Sequence, residues 1–335
     1  MLDHRQNLYS GIARGHPTMP CEVTVAKPHN LNPGKYDDLK HILRTEGQNV
    51  GIQKYGAGSR QWMATVCDGS PQKLFLGLDG ELLFCQKCLL PVGDLQKHCQ
   101  DRHDGAQLDG ADLALEMDFI LPLAGPGHIE KNLLTALVQV FWDLLGLDQF
   151  SKWCDYSAEG QKKYLFNCAD HHKTSDFVTI IHQTLCREIA AEFMKVWKIE
   201  NETKAPVYAD LVKFMESSLV QNVNLLRHFE IVDGPLMSLF LMRAGMRTGN
   251  GQLYYSGLEY ASLFTFANGH KNYQLITTFE LYLIRVAPPE VQNFIFTFLF
   301  KENKTHQYSD SCSEGLDYRL EEFNKKFCQG TKSRL

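Results

Sequence analysis

Nineteen residues constrain this chain more than any others: Cys85-Gln-Lys-Cys88, an interval of nine residues, then His98-Cys-Gln-Asp-Arg-His103. Two thiols two residues apart can face one point from a tight knuckle. Two imidazoles five positions apart can reach the same point from the last turns of a helix. Four nitrogen and sulfur ligands of this kind satisfy tetrahedral Zn²⁺ in a closed structural site. The spacing therefore predicts Cys85, Cys88, His98 and His103 as metal ligands and structural Zn²⁺ as the cofactor. The interval departs from the usual finger, which holds about twelve residues there. Leu95 takes the place of a finger's core leucine, and Leu89 or Leu90 that of its aromatic. Cys99 is a spare thiol beside a ligand and a competitor for the ion. The alternative is a metal-free turn of reduced thiols.

The flanks place this segment inside a larger domain. Upstream, Trp62-Met-Ala-Thr-Val-Cys-Asp68-Gly69 has the pattern of a strand ending in an acid and a glycine. Downstream, Asp118-Phe-Ile-Leu-Pro-Leu-Ala-Gly-Pro-Gly-His128 has that of a strand running into a glycine-rich turn. A finger at 82–105 is then an insertion between two strands.

The rest of the chain sorts around that insertion. Residues 1–35, rich in Pro, His, Asn and Gly, form an extended arm with one short strand at Glu22–Ala26. Residues 36–300 form an α/β core with a helical bundle. It opens on a short helix with Tyr36, Leu39, Ile42 and Leu43 on one face and Gly47 as its stop. Val50–Gln53 and Gln61–Val66 are strand-like. Between them, Gly56-Ala-Gly-Ser59 lacks the Lys-Ser/Thr of a phosphate loop, so no nucleotide cofactor is expected. Lys73–Phe84 suggests a hairpin at Asp79-Gly80. A helix over Ile129–Leu147 carries the stripe Leu133, Leu137, Val140, Phe141, Leu144 and ends at Gly146. The Gly125-Pro-Gly127 turn before it either offers free N–H groups to an anion or is tight packing. From Phe150 to Phe300 the period is helical, the longest element having Val178, Ile181, Leu185, Ile189 and Phe193 on one face. Residues 301–335 comprise a polar loop, an amphipathic helix and a basic tail. The fold class is thus α-rich α/β: a small sheet, an inserted Cys2His2-type zinc finger, and a large helical region.

Composition narrows the partners. A net charge of −5 argues against a whole-surface nucleic-acid binder. Ten cysteines without a regular framework indicate reduced thiols in the nucleus or cytoplasm, not a secreted protein. The N-terminus has no apolar signal core, and no apolar run reaches the roughly eighteen residues of a membrane span, so no membrane partner is expected. The tail Lys325, Lys326, Lys332 and Arg334 is the basic stretch. It is either solvated or a source of weak, non-specific DNA binding.

Four stretches considered together carry a resemblance. They are Cys67-Asp-Gly-Ser-Pro71, Leu121-Pro-Leu-Ala-Gly-Pro-Gly-His-Ile-Glu-Lys-Asn132, Asp170-His-His-Lys173, and Ser313-Glu-Gly-Leu-Asp-Tyr-Arg-Leu-Glu-Glu-Phe-Asn324. From about Asn30 to Asn324 the chain resembles a family of uncharacterised, transposon-derived proteins expanded in some invertebrate genomes, with a finger inside an integrase-like region. The resemblance implies an RNase H-like fold. Such nucleases hold two Mg²⁺ ions with carboxylates. Asp68, ending a strand, and Glu321, three before Asn324 in a Glu-x-x-Asn pattern, match that plan. Asp118 fits it less well, and the first acid of such a site has no match, Glu22 and Asp37 being poor candidates. The other roles open to Asp68 and Glu321 are a turn aspartate and a solvated helix face.

Asp170-His171-His172-Lys173 either ligates a metal together with His128 or caps the helix that follows. In a DNA-reading finger, Pro91, Asp94 and Lys97 would meet the bases, and of these only Lys97 is suited to it. The expectation is a non-catalytic, zinc-binding, transposase-derived protein that contacts nucleic acid or protein. The alternatives are an active two-metal nuclease using Mg²⁺, and an interaction scaffold with purely structural zinc.

Overall fold

The structure, a computed structural model, describes residues 29–56, 58–67, 74, 83–88, 90–92, 94–200, 205–219, 221–267, 271–298, 301–303 and 313–315. Over these the chain is helix-rich with a few short strands, an α-rich α/β arrangement. It divides into two compact units, one at Glu22–His128 and one containing Ile129–Leu335.

The first unit opens on α1 (Tyr36–Asn49), whose Asp37 and Asp38 sit favourably at the positive end of the helix dipole. Leu39 and Leu43 from α1 join Ile52, Met117 and Phe119 in one apolar core. Gly47 does not stop this helix. It lies inside it, buried, where a Cβ would stand 2.9 Å from the Tyr55 ring and 3.1 Å from that of Phe119. Two aromatic rings need the space, so the glycine serves packing. Val50–Gln53 is no strand: Ile52 makes one bridge to Arg60, and a 3₁₀ turn follows at Gln53–Tyr55. A Cβ on Gly58 would fall 1.8 Å from the Gly51 carbonyl oxygen, so the glycines of this loop permit two backbones to touch.

Next come β1 (Met63–Cys67), β2 (Leu83–Cys85), β3 (Leu90–Val92), α2 (Leu95–His103), β4 (Leu113–Leu115) and β5 (Ile120–Ala124). β1 and β5 pair in parallel, Met63 opposite Ile120 and Cys67 opposite Ala124. Parallel neighbours need a long crossover. Here the crossover contains a separate antiparallel sheet, ordered β3-β2-β4, together with α2. The insertion expected from the flanks is therefore nested between two paired strands. Asp118 lies in the turn before β5. The hairpin expected at Asp79-Gly80 lies outside the described residues.

Polar ties join this insert to the start of the unit. Arg44 on α1 grips the fully buried Glu116 with two hydrogen bonds, one of them 2.7 Å from Nη2 to Oε2. Lys54 donates to the Leu115 carbonyl and, at 2.6 Å, to Asp118. Glu116 pulls the Arg44 guanidinium further up, against the effect of its burial.

The second unit contains α3 (Pro126–Phe141) from Ile129 onward, α4 (Leu147–Trp153), α5 (His171–Glu200), α6 (Tyr208–Phe214), α7 (Val223–Ile231), α8 (Met237–Thr248), α9 (Gly251–Ala267), α10 (Lys271–Val286) and α11 (Pro289–Phe298). A short antiparallel pair follows, β6 (Lys301–Asn303) with β7 (Ser313–Gly315). Three π-helical segments interrupt the series, at Gln161–Phe166, Met215–Leu219 and Val232–Leu236. The last contains Pro235, which has no N–H for the ordinary ladder. On α5 the expected face is buried in full, Val178, Ile181, Leu185, Ile189 and Phe193 being joined by Phe177 and Trp197. On α3 the stripe is displaced. Leu133, Leu134, Ala136, Leu137, Val138 and Phe141 are buried, whereas Val140 and Leu144 are 37% and 55% exposed. The helix ends at Phe141, so Leu144 falls beyond it, and Gly146, with φ of 60°, precedes α4.

A charged cluster is buried in this unit. Glu130 of α3 accepts from Arg243 Nε of α8, and His171 Nε2, at the start of α5, lies 3.2 Å away. Burial pushes the Glu130 carboxyl up, but the charge of Arg243 and the hydrogen bond and charge of His171 outweigh it, lowering it to about 2.

α8 and α9 meet at glycine. A Cβ on Gly245 would stand 2.4 Å from the Tyr254 backbone nitrogen and 2.7 Å from its Cα. Gly245→Ala must therefore force the helices apart, at a cost of about 1–3 kcal/mol that exceeds the gain in helix propensity. Gly110→Ala is the control, because beyond its chain neighbours nothing lies within 4 Å of its Cβ position and its φ is not positive. Urea midpoints should fall for the first variant and hold or rise for the second.

Candidate metal centre

Cys85 ends β2, and strand alternation sets its role. Phe84 points to one face and Leu83 and Cys85 to the other. β2 is paired on both sides, Cys85 standing opposite Leu90 of β3 and Leu113 of β4. The turn that follows is tied by Gln86 N–H to the Asp112 carbonyl, 2.9 Å, and carries Cys88. Helix α2 is fixed at both ends. The Asp94 carboxylate caps it by accepting from Lys97 N–H at 2.9 Å. At the far end Asp104 (φ 50°) and Gly105 (φ 77°) turn left-handed, and Gly105 N–H closes on the Cys99 carbonyl at 2.9 Å. These caps leave His98 and His103 facing the thiols, their rings 5.3 Å apart.

The four side chains converge. Cys85 Sγ lies 3.3 Å from His103 Nε2, and Cys88 Sγ lies 3.3 Å from His98 Nε2. All four ligand atoms fall within 4.8 Å of one another. Tetrahedral Zn²⁺ holds such atoms about 3.3–3.8 Å apart, so a small contraction would close the set on one ion. Among the described residues this is the one group of three or more possible ligands so placed. Burial, then the neighbouring Cys85, push the Cys88 thiol up. A divalent cation at the centre reverses that balance, because both sulfurs can then carry charge. The donor set therefore suits zinc.

Cys99 is not among the four converging side chains. It is 8% exposed and packs in a small apolar cluster with Cys85, Val92 and Leu108, flanked by Leu83, Cys88 and Leu113. Leu95, expected in that core, is 39% exposed, because α2 begins there and its first turn faces outward. Leu108 and Leu113 fill the space instead. Leu90 lies on β3, and Leu89 lies outside the described residues.

Sequence inspection missed Phe84. It is 1% exposed, and its ring meets the edge of Tyr55 at 6.0 Å, Tyr55 in turn meeting Phe119 at 5.4 Å. Lys54 Nζ sits 4.9 Å over the Phe84 ring. One strand thus supplies a candidate ligand on one face and an anchor to the unit's core on the other. A large aromatic directly before the first Cys was the signal available.

The other candidate residues fall apart from this centre or outside what can be described. Asp118 is a half-exposed partner of Lys54. Asp68 and Glu321, and the tail with Lys325, Lys326, Lys332 and Arg334, lie outside the described residues. Asp170 caps α5, accepting from His172 and Lys173 N–H at 3.1 and 3.2 Å, and His171 turns to Glu130. Pro91 falls on β3 and Asp94 is spent as a cap, so of the three positions suggested for base contact only Lys97 lies on the exposed face of α2. No helix among the described residues is long and apolar enough to cross a membrane. Comparison with protein-family models, curated proteins and solved structures returns no match to this chain.

Proposed function

We propose that the chain is a zinc-binding, non-catalytic protein in which Zn²⁺, held by Cys85, Cys88, His98 and His103, is structural, and in which the finger so formed binds another protein. The observation that carries this is the meeting of two thiols and two imidazoles, with sulfur–nitrogen separations of 3.3 Å. Four protein ligands fill a tetrahedral shell and leave no position for the activated water of a catalytic site. The outward residues of α2 support protein over DNA. Gln96, Lys97, Gln100, Asp101 and Arg102 mix both signs of charge, whereas a phosphate-tracking face is basic. A single finger also buries too little surface for a specific base reader. Descent from a transposase, with a degenerate RNase H-like core, belongs to this reading through the sequence resemblance alone.

The test is metal content followed by hydrogen exchange. The purified chain should hold one zinc. Stripping it with a chelator should open the amides of β2, α2 and β4, and with them those of β1 and β5, because the insert is the crossover between those strands. A chain without zinc, or an unchanged exchange pattern after stripping, defeats the proposal. Tight DNA binding that survives raised salt would move the partner from protein to nucleic acid.

A further inference from the structure

Strand β1 is bonded along one edge only. Met63 N–H donates to the Phe119 carbonyl at 2.8 Å, and Gly125 N–H to the Cys67 carbonyl at 3.1 Å. In a parallel ladder one residue turns its N–H and C=O to the same side, and the next turns both to the other. Met63, Thr65 and Cys67 therefore face β5, and Ala64 and Val66 face away from it. Among the described residues nothing meets the N–H and C=O groups of Ala64 and Val66. The far edge of the pair is closed by other means. Pro122 has no N–H to offer there, and Ile120 N–H is spent on the Met117 carbonyl at 3.0 Å. Parallel strands are normally covered, and two strands alone are marginal. β1 is half-buried along its whole length.

The chain carries a strand-forming segment close by. Glu22-Val-Thr-Val-Ala26 places Val23 and Val25 on one face, and it belongs to the same compact unit as β1. The described residues begin at His29, whose ring bonds the Glu46 carboxylate of α1 at 2.6 Å. Gly47, the next residue of α1, packs against the Phe119 ring, and the Phe119 carbonyl is the acceptor of Met63 N–H. The chain thus enters beside the start of β1. Only Lys27 and Pro28 separate His29 from Ala26, three steps that span at most about 10 Å. A strand ending at Ala26 near Met63 runs against the direction of β1.

We propose that residues 22–26 add to β1 as a third, antiparallel strand and take up the backbone groups of Ala64 and Val66. Val23 and Val25 then extend the face on which Met63 and Cys67 pack against the core of α1. The backbone bonds supply the attraction, and the two valines fix the register. Occupied in this way, the edge is closed to pairing with another chain.

The experiment is residue-resolved hydrogen exchange and NMR on the full chain, beside sedimentation. The Ala64 and Val66 amides should exchange at least about a hundredfold more slowly than open chain, at a rate independent of protein concentration. Wild-type spectra should show cross-strand proton contacts between residues 22–26 and Ala64 or Val66, so the test stands even where a variant fails to fold. Val23→Pro combined with Thr24→Pro removes an N–H whichever residue faces β1. In that variant Ala64 and Val66 should exchange at close to the open-chain rate, while Thr65, whose N–H is spent on β5, stays slow. Open-chain exchange of Ala64 and Val66 in the wild type, absence of the cross-strand contacts, or protection that survives the two prolines would each overturn the proposal. Protection that grows with concentration alongside a dimer would overturn it too, by giving the edge to a second copy.

Discussion

Cys88→Ser is expected to strip the tightly held ion from the chain, while Cys99→Ser leaves it in place. The two thiols belong to the same small module, but they face different surroundings. Cys88 Sγ stands 3.3 Å from His98 Nε2, and Cys99 packs against Val92 and Leu108. A serine hydroxyl stays protonated and is a hard donor, so the first variant loses a soft ligand outright. At free zinc a thousandfold above the dissociation constant, an ion bound only by the folded state adds about 4 kcal/mol of stability. The Cys88 variant should therefore unfold at far lower urea than wild type when zinc is present, and at a similar concentration once both are stripped. Cys99→Ser should cost about 1–3 kcal/mol for a buried hydroxyl without a partner, with and without metal alike. Metal analysis beside urea melts reads both quantities. Equal metal in the two variants, or loss in the Cys99 variant alone, would show that the ligand set is wrong.

Arg243→Ala should be the most damaging single change in the second unit. It leaves the Glu130 carboxylate buried with only the His171 ring beside it, and removing one partner of a buried pair costs about 3–5 kcal/mol. Replacing both Glu130 and Arg243 by methionine should recover most of that loss, because no charge then needs a partner. The pH dependence has a definite sign. Glu130 is lowered in the folded state from 4.5 to about 2, so its contribution is full above pH 4.5 and is lost as the pH falls through about 2. Over that window the wild type should lose about 3 kcal/mol through this group. The Arg243 variant should lose less, since its Glu130 protonates at higher pH. Urea unfolding at neutral pH and near pH 3 checks both statements; a variant penalty that grew on acidification would contradict them.

The convergence of Cys85, Cys88, His98 and His103 was legible because a local loop and helix that bring four side chains together are written directly as spacing. The long helices were legible through their apolar period, as the buried face of α5 shows. What could not be read depended on which way a local element turned. Asp94 as a cap fixes the start of α2 at Leu95, and that alone decides that Leu95 faces out and Cys99 in. Gly47 suggested a stop because its sequence neighbours say nothing of Tyr55 and Phe119, the rings that need the room. Glu130 and Arg243 are 113 positions apart, and no period or motif records a pairing at that distance. The helical period read across Pro235 gives no sign of the π-helical turn that contains it.

The parallel pairing of Met63 with Ile120 also bears on how fast the first unit can form. Those two residues must meet before their hydrogen bonds give anything back, and the chain between them has to surrender its freedom to do so. That entropic toll grows only with the logarithm of loop length, about 0.6 kcal/mol for each doubling. A module already closed between Cys85 and Leu113 removes roughly half of the loose chain, and so speeds strand pairing by no more than about threefold. Metal should therefore leave the refolding rate nearly untouched and act on the rate of unfolding, with the bound chain opening far more slowly than the bare one.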